Sequence, residues 1–161
     1  MNEVRLQTAL AATAAVLTLP VLAYPFGLDQ GIYATIAEVM RSGGKPYIDA
    51  WEMRPPAIFY LYQLALAVFG HHEWSIRIFD LIALAATAPA LYRIGRDTFT
   101  SRTIGGAAAL IAPLLYVAFG YWDTAQPETY MIPLLSWGLW LWLQNERFLM
   151  AGILFGVAIL F

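Results

Sequence analysis

The residues of this chain that could do chemistry are concentrated in two polar stretches, one around Asp29–Pro56 and one around Asp123–Glu128. In the first, Lys45 to Pro56 reads KPYIDAWEMRPP. Each proline disfavours helix in the residue before it, so this is a rigid loop. It ends on Arg54 held against a Pro-Pro pair. A guanidinium fixed in this way can pair two oxygens of a phosphate and stabilise charge that leaves with it. It could equally snorkel to lipid headgroups. Asp49 and Glu52 flank it; they could orient Arg54, bind a divalent cation through oxygen ligands, or remain solvated loop acids. Asp29 stands where it would cap a following helix, and its carboxylate could also take a proton or stabilise positive charge. Glu128 and Asp123 offer the same chemistry in the second stretch.

Other constellations carry less. Arg77 and Asp80, three apart, share a helix face. Inside a membrane segment such a pair marks a functional site by default, although a structural ion pair accounts for it as well. His71-His72-Glu73 has metal-binding residue types, but adjacent histidines leave a helix on different faces. Gly152 and Gly156 have the spacing that lets two membrane helices approach. No Ser-His-Asp set, P-loop, Rossmann fingerprint or zinc spacing is present. A soluble nucleotide-sugar enzyme would need a nucleotide-binding domain of that kind.

The elements that must position these residues are membrane segments. Hydrophobic residues make up 60% of the 161, charged residues 12%, and mean hydropathy is +0.62. Soluble domains carry roughly 25% charged residues, so lipid must cover much of this surface. The net charge of −2 lacks the clustered Lys and Arg of a nucleic-acid footprint. With no cysteine, disulfide and thiol chemistry are excluded.

Leu6 to Phe26 is uncharged over 21 residues, about 31 Å of helix, which matches a bilayer core and predicts a retained span rather than a cleaved signal peptide. Four more apolar segments follow at Trp74–Tyr92, Thr103–Trp122, Thr129–Asn145 and Phe148–Phe161. Trp137, Trp140 and Trp142 suit an interfacial belt toward the end of Thr129–Asn145. The last segment stops without a polar flank, so the chain is expected to be a single transmembrane domain, 1–161, forming the N-terminal part of a longer protein.

Residues 27–73 separate the first two spans. Gln30–Arg41 places Ile32, Ile36, Val39 and Met40 on one face and Gln30, Thr35, Glu38 and Arg41 opposite, an amphipathic helix suited to a membrane surface. Ser42-Gly43-Gly44 ends it. Ala57–Gly70 is apolar but only 14 residues long, and its placement decides the topology. If it stays outside, five of the nine basic residues face the cytoplasm; if it spans, seven do. The positive-inside rule prefers spanning and segment length prefers the surface.

The stretch FGLDQGIYATIAEVMRSGGKPYIDAWEMRPPAIFYLYQLALAVFG resembles the first extracytoplasmic loop of the GT-C superfamily of integral-membrane glycosyltransferases, in particular the bacterial branch of aminoarabinose transferases and protein O-mannosyltransferase-like enzymes. The resemblance rests on DQGIYA, the Gly-Gly-x-Pro-Tyr turn and the W-x-x-(basic)-Pro-Pro element. The later R-I-x-D-L-I run, the turn RIGRDTFTSR and QPETYMIP add to it. It implies an all-α, polytopic transmembrane helix bundle of about five segments, with two membrane-surface helices in the first outer loop. It also implies a multi-pass protein of the cell (inner) membrane with an extracytoplasmic site, which puts Asp29 and Glu128 on one side.

The implied activity is transfer of a sugar from a polyprenyl-phosphate donor to a lipid, glycan or protein acceptor. Asp29 resembles the catalytic acidic residue, Arg54 the phosphate-binding one, and Glu128 or Asp123 a second acidic position. Tyr33, Asp49 and Glu52 support them, and a divalent metal could join them. Two rival classes remain at the level of sequence. A secondary transporter or lipid flippase would use Arg77 and Asp80 as a relay, and a non-catalytic scaffold would use the charged loops to bind a partner.

Overall fold

A computed structural model of the chain describes residues 2–145 and 147–161, and its regular elements are all helices. In order they are α1 (Glu3–Thr18, continued by a 3-10 stretch Leu19–Ala23), α2 (Leu28–Arg41), α3 (Ala57–Phe69), α4 (Glu73–Phe99), α5 (Arg102–Ala118), α6 (Pro127–Leu143) and α7 (Phe148–Ala158). Two of these, Glu3–Ala23 and Glu73–Phe99, are long and apolar enough to cross a membrane. At 17 residues each, α5 and α6 reach only ~25 Å. Large apolar side chains stay on the outside of the bundle, among them Ile111, Leu114 and Leu115 of α5, Leu135 and Leu139 of α6, and Leu149 and Ile153 of α7. Lipid satisfies such a surface and water does not.

Helices α1, α4, α5 and α6 run alternately up and down, and their polar contacts mark two opposite ends. At one end the Glu3 carboxylate accepts from Arg96 (2.9 Å), Arg102 (2.5 Å) and the Tyr92 hydroxyl (3.2 Å). There too Trp140 donates to Asp97 at 3.0 Å, and Arg93 lies 4.4 Å over the Trp140 ring and donates to Gln7. Trp137 and Trp140 therefore close an ionic cap rather than only forming a belt. This cap also explains why α4 runs on to Phe99, past the expected Tyr92: its charged last turns find partners on α1 and α6. Near it, α4 and α5 cross closely at Gly95 and Gly105, where a β-carbon on Gly95 would come within 2.9 Å of the Gly105 Cα. Gly152 and Gly156, by contrast, have no neighbour within 4 Å of where a β-carbon would lie, so their spacing serves no close helix contact in this bundle.

Helices α2 and α3 belong to the other end. The Ala57 N–H at the start of α3 donates to the Leu160 carbonyl, and the Gly70 carbonyl just past its end accepts from Ser75 in the first turn of α4. Tyr62, in the middle of α3, donates to Ala125 in the loop before α6. The chain thus enters and leaves α3 at one end of the bundle. The main core lies here, where Tyr33, Ile36, Phe59, Tyr62 and Ile76 pack beneath α2 and α3.

Two details differ from expectation. The N-cap of α2 is Gly27, in extended conformation, so Asp29 lies inside the first turn. Its carboxylate still faces the positive end of the helix dipole but is left free to reach another segment. Gln30, expected on the outer polar face, is completely buried.

Candidate functional site

The polar residues of the two loops meet in one cleft of about 530 Å³, lined by Asp29, Arg54, Asp123, Gln126 and Glu128 on the polar side and by Tyr116, Phe119, Trp122 and Ile132 on the apolar side. This size suits a small ligand.

A buried polar layer fixes the loop between α5 and α6 against α2. The Gln30 Nε2 group shares its two N–H donors among three backbone carbonyls of that loop: Tyr121 (2.9 Å), Trp122 (3.1 Å) and Thr124 (2.6 Å). Arg77, fully buried, donates to Thr124 Oγ1 at 2.6 Å and to the Pro25 carbonyl at 2.9 Å, with Asp80 3.6 Å away as its counter-ion. Tyr130 donates to Asp80 at 2.8 Å. One buried cation therefore ties the segment just before Asp29 to the segment just before Gln126.

Ala125 adopts a left-handed backbone, φ 56, which costs roughly 1–2 kcal/mol for a residue with a β-carbon. Tyr116 and Tyr62 hold it there. The Ala125 N–H donates to the Tyr116 hydroxyl at 2.9 Å, and the Ala125 carbonyl accepts from Tyr62 at 3.0 Å. Backbone strain over-determined by its surroundings tends to mark functional sites. Here it turns Gln126 toward α2.

The Gln126 side chain links three parts of the cleft. Its Nε2 donates to Asp29 Oδ2 at 3.2 Å and to the Trp122 carbonyl at 3.0 Å, while its Oε1 accepts from the Tyr33 hydroxyl at 3.3 Å. Arg54 enters from the α2–α3 loop, where the Tyr47 hydroxyl donates to its carbonyl at 2.7 Å. Its guanidinium is 3.6 Å from Glu128, with both side chains partly exposed. Tyr33, and after it Glu128, hold the Arg54 guanidinium above its already high ordinary value, against the opposing effect of burial. Burial is also the main reason that Tyr33 is held above the ordinary phenol value. Arg54 therefore stays a cation and Tyr33 a neutral donor across the working range.

The candidate residues named from sequence separate into two groups. Asp29, Arg54, Asp123 and Glu128 line the cleft, and Tyr33 reaches it through Gln126. Asp49 and Glu52 do not line it. Asp49 accepts from the Lys45 N–H at 2.7 Å and Glu52 from the Met53 N–H at 2.9 Å, so both are used in holding their own loop. Sequence reasoning passed over Gln30, Tyr116, Trp122 and Gln126 as site residues. The signal for Tyr116 was a polar group within an otherwise apolar segment; none marked Gln30, which periodicity assigns to the outer polar face. Among the described residues no group of three or more His, Cys, Asp or Glu is placed to hold a metal ion. His71 instead pairs with Glu38 at 3.2 Å, tying α2 to the α3–α4 turn.

An all-helical bundle with a lipid-facing surface, carrying at one end a cleft of carboxylates around one guanidinium, defines a class: membrane proteins with a polar cleft at one end of the helix bundle. Comparison with known families narrows this. The sequence profile described as dolichyl-phosphate-mannose-protein mannosyltransferase matches residues 53–161, more than half of the chain, and the protein belongs to that family of membrane glycosyltransferases. Arg54, Asp123, Gln126 and Glu128 lie inside the matched stretch; Asp29 and Tyr33 lie before it and join the site through the contacts above. No curated protein and no solved structure matches the chain at a significant level.

Proposed function

We propose that the cleft transfers a sugar from a polyprenyl-phosphate carrier to an acceptor hydroxyl at the extracytoplasmic surface of the cell membrane. The observation that carries this reading is the convergence of Asp29, Arg54 and Glu128, from three separate segments, in one cleft with an apolar wall. In this reading α1, α4, α5, α6 and α7 form the membrane bundle, and α2 and α3 lie on its outer surface. The basic residues Arg93, Arg96 and Arg102 of the opposite end then face the cytoplasm, although the charge rule counted over the whole chain prefers the arrangement in which Ala57–Gly70 spans.

The chemistry is a displacement at the anomeric carbon. The acceptor oxygen forms a bond to that carbon, and the bond from the carbon to the phosphate oxygen breaks. Polyprenyl phosphate leaves with the bonding pair. Arg54 pairs with the phosphate oxygens and stabilises the charge that grows on them. The Asp29 carboxylate receives the acceptor proton, and Gln126 holds it in position. Glu128 occupies Arg54 until the phosphate arrives, and it or Asp123 assists at the acceptor side. The apolar wall of Phe119, Trp122 and Ile132 is open to lipid, so a carrier can approach from within the bilayer. Acceptors of this chemistry are lipid, glycan or protein hydroxyls.

The test is Asp29→Asn in the full-length protein. Transfer from a polyprenyl-phosphate sugar should be abolished while expression and carrier binding are retained; wild-type transfer by this variant would refute the assignment. Topology is checked separately, since the chain has no cysteine of its own. Single cysteines replacing Lys45 and Asp123 should both react with an impermeant thiol reagent in intact cells, and one replacing Thr103 should react only after lysis.

A further inference from the structure

The cleft contains an aromatic side chain that is fixed as firmly as a core residue and yet left half exposed. Trp122 is 53% exposed. Its carbonyl accepts from two buried or nearly buried amides, Gln30 Nε2 at 3.1 Å and Gln126 Nε2 at 3.0 Å. The benzo edge of its indole lies against Gly27, where a β-carbon would come within 3.1 Å of Trp122 Cε3. The neighbouring Tyr121 ring stands 5.3 Å away at an angle of 30°. An indole that only anchors a helix in the headgroup region needs none of this. Its backbone can move with the lipid and its ring can rotate.

Trp122 also stands among groups of complementary chemistry. Asp29, Asp123 and Glu128 line the same cleft, and their carboxylates accept hydrogen bonds. A flat, electron-rich ring face beside several carboxylates is the arrangement that suits a pyranose. The axial C–H bonds of the sugar carry the partial positive charge that an aromatic face attracts, and its equatorial hydroxyls donate to carboxylates. A prenyl chain would leave those acids unpaired, and a phosphate would go to Arg54 rather than to them.

We infer that Trp122 is the platform on which the transferred sugar of the donor stacks, with Asp123 and Asp29 accepting from its hydroxyls while Arg54 holds the phosphate. This rests on the lipid-linked donor reading above. It gives the cleft a division of labour: Arg54 recognises what every polyprenyl phosphate has, and Trp122 recognises whether a sugar is attached. Gly27 belongs to the same device, since a β-carbon there would press on Gln30 Oε1 at 2.6 Å and on the indole at 3.1 Å.

The experiment compares two lipids on the full-length protein in nanodiscs, dolichyl phosphate mannose and dolichyl phosphate, with equilibrium binding as the readout. Trp122→Leu should weaken binding of the mannosyl lipid by about tenfold, the size of one aromatic contact, and leave dolichyl phosphate unchanged. Trp122→Phe, which keeps a ring face, should bind both lipids within about twofold of wild type. Trp142→Leu, an exposed indole at the opposite end, should change neither. Wild-type affinity of Trp122→Leu for the mannosyl lipid would overturn the inference, as would equal loss of both lipids, which would make Trp122 a carrier or folding contact. If the wild-type protein bound neither lipid, the donor reading itself would fall and the sugar platform with it.

Discussion

Arg77→Met offers a sharp test of how the site is built. Arg77 and Asp80 are both completely buried, 3.6 Å apart. Removing the guanidinium leaves Asp80 as an uncompensated buried charge, a change that typically costs about 3–5 kcal/mol. Asp80→Asn should cost a similar amount, because Arg77 then loses its counter-ion. The double variant removes the charge problem altogether, since an asparagine amide oxygen can still accept from Tyr130. What remains is the loss of the Arg77 bonds to Thr124 and Pro25, about 1.5–3 kcal/mol each for bonds from a charged donor. The double variant should therefore be no less stable than Arg77→Met alone, and the coupling between the two positions should be at least ~2 kcal/mol. Unfolding of the purified full-length protein in detergent, monitored across the four members of the cycle, measures this. The same proteins report on function. A methionine thioether cannot hold Pro25 and Thr124 together, so transfer should fall in the double variant even where stability recovers. Arg77→Lys should not restore it, because a single ammonium cannot reproduce the planar fork. If the costs of the two single substitutions simply add, or if the double variant transfers as wild type, Arg77 is not the strut between the two loops.

Four further outcomes are expected. Arg54→Ala should raise the KM for the lipid-linked donor and also lower kcat, since Arg54 both binds the phosphate and stabilises the charge that grows on it; an unchanged donor KM would remove Arg54 from the phosphate site. Glu128→Gln releases Arg54 from a partly exposed ion pair worth at most about 1 kcal/mol, so carrier affinity should rise by no more than roughly fivefold while transfer slows; weaker carrier binding would contradict the competition. Gly105→Val would drive a side chain into the Tyr92 carbonyl at the α4–α5 crossing, and the unfolding midpoint should fall by the equivalent of about 1–3 kcal/mol. Tyr33 is held above the ordinary phenol value of 10.0, so its stabilising contribution is complete below about pH 10 and is lost as pH rises through the folded-state value. Tyr33→Phe should accordingly show less loss of stability than wild type as pH rises above the ordinary phenol value of 10.0.

The helices were legible because each apolar segment declares itself by composition within a few residues. Their ends were less so, since an end is decided by what lies across from it. The last turns of α4 carry Arg93, Arg96 and Asp97, which look like a loop until Glu3, Gln7 and Trp140 are brought beside them. The side on which α3 lies was not decidable from charge or length. The resemblance is what made it a surface helix; in the fold both of its ends contact one end of the bundle, through Leu160 and Ser75, and the first of those partners is distant in sequence.

The candidate site divides along the same line. Proline spacing made the Arg54 loop legible as a rigid presentation of a cation, because that constraint is local. The uses of Asp49 and Glu52 were local too, but bonds to nearby backbone N–H groups compete with any ligand role, and residue type alone does not say which wins. Gln30 shows the deeper difficulty. Helical periodicity assigns a polar residue to the solvent face on the assumption that water is the only partner available. Here the partner is a strained loop far along the chain, so Gln30 turns inward while Thr35 and Arg41 of the same face stay exposed. A buried amide within hydrogen-bonding distance of three carbonyls of that distant loop stabilises the particular backbone that presents Trp122, Asp123 and Gln126. The residues with the means to do chemistry are thus held in place by residues that look inert.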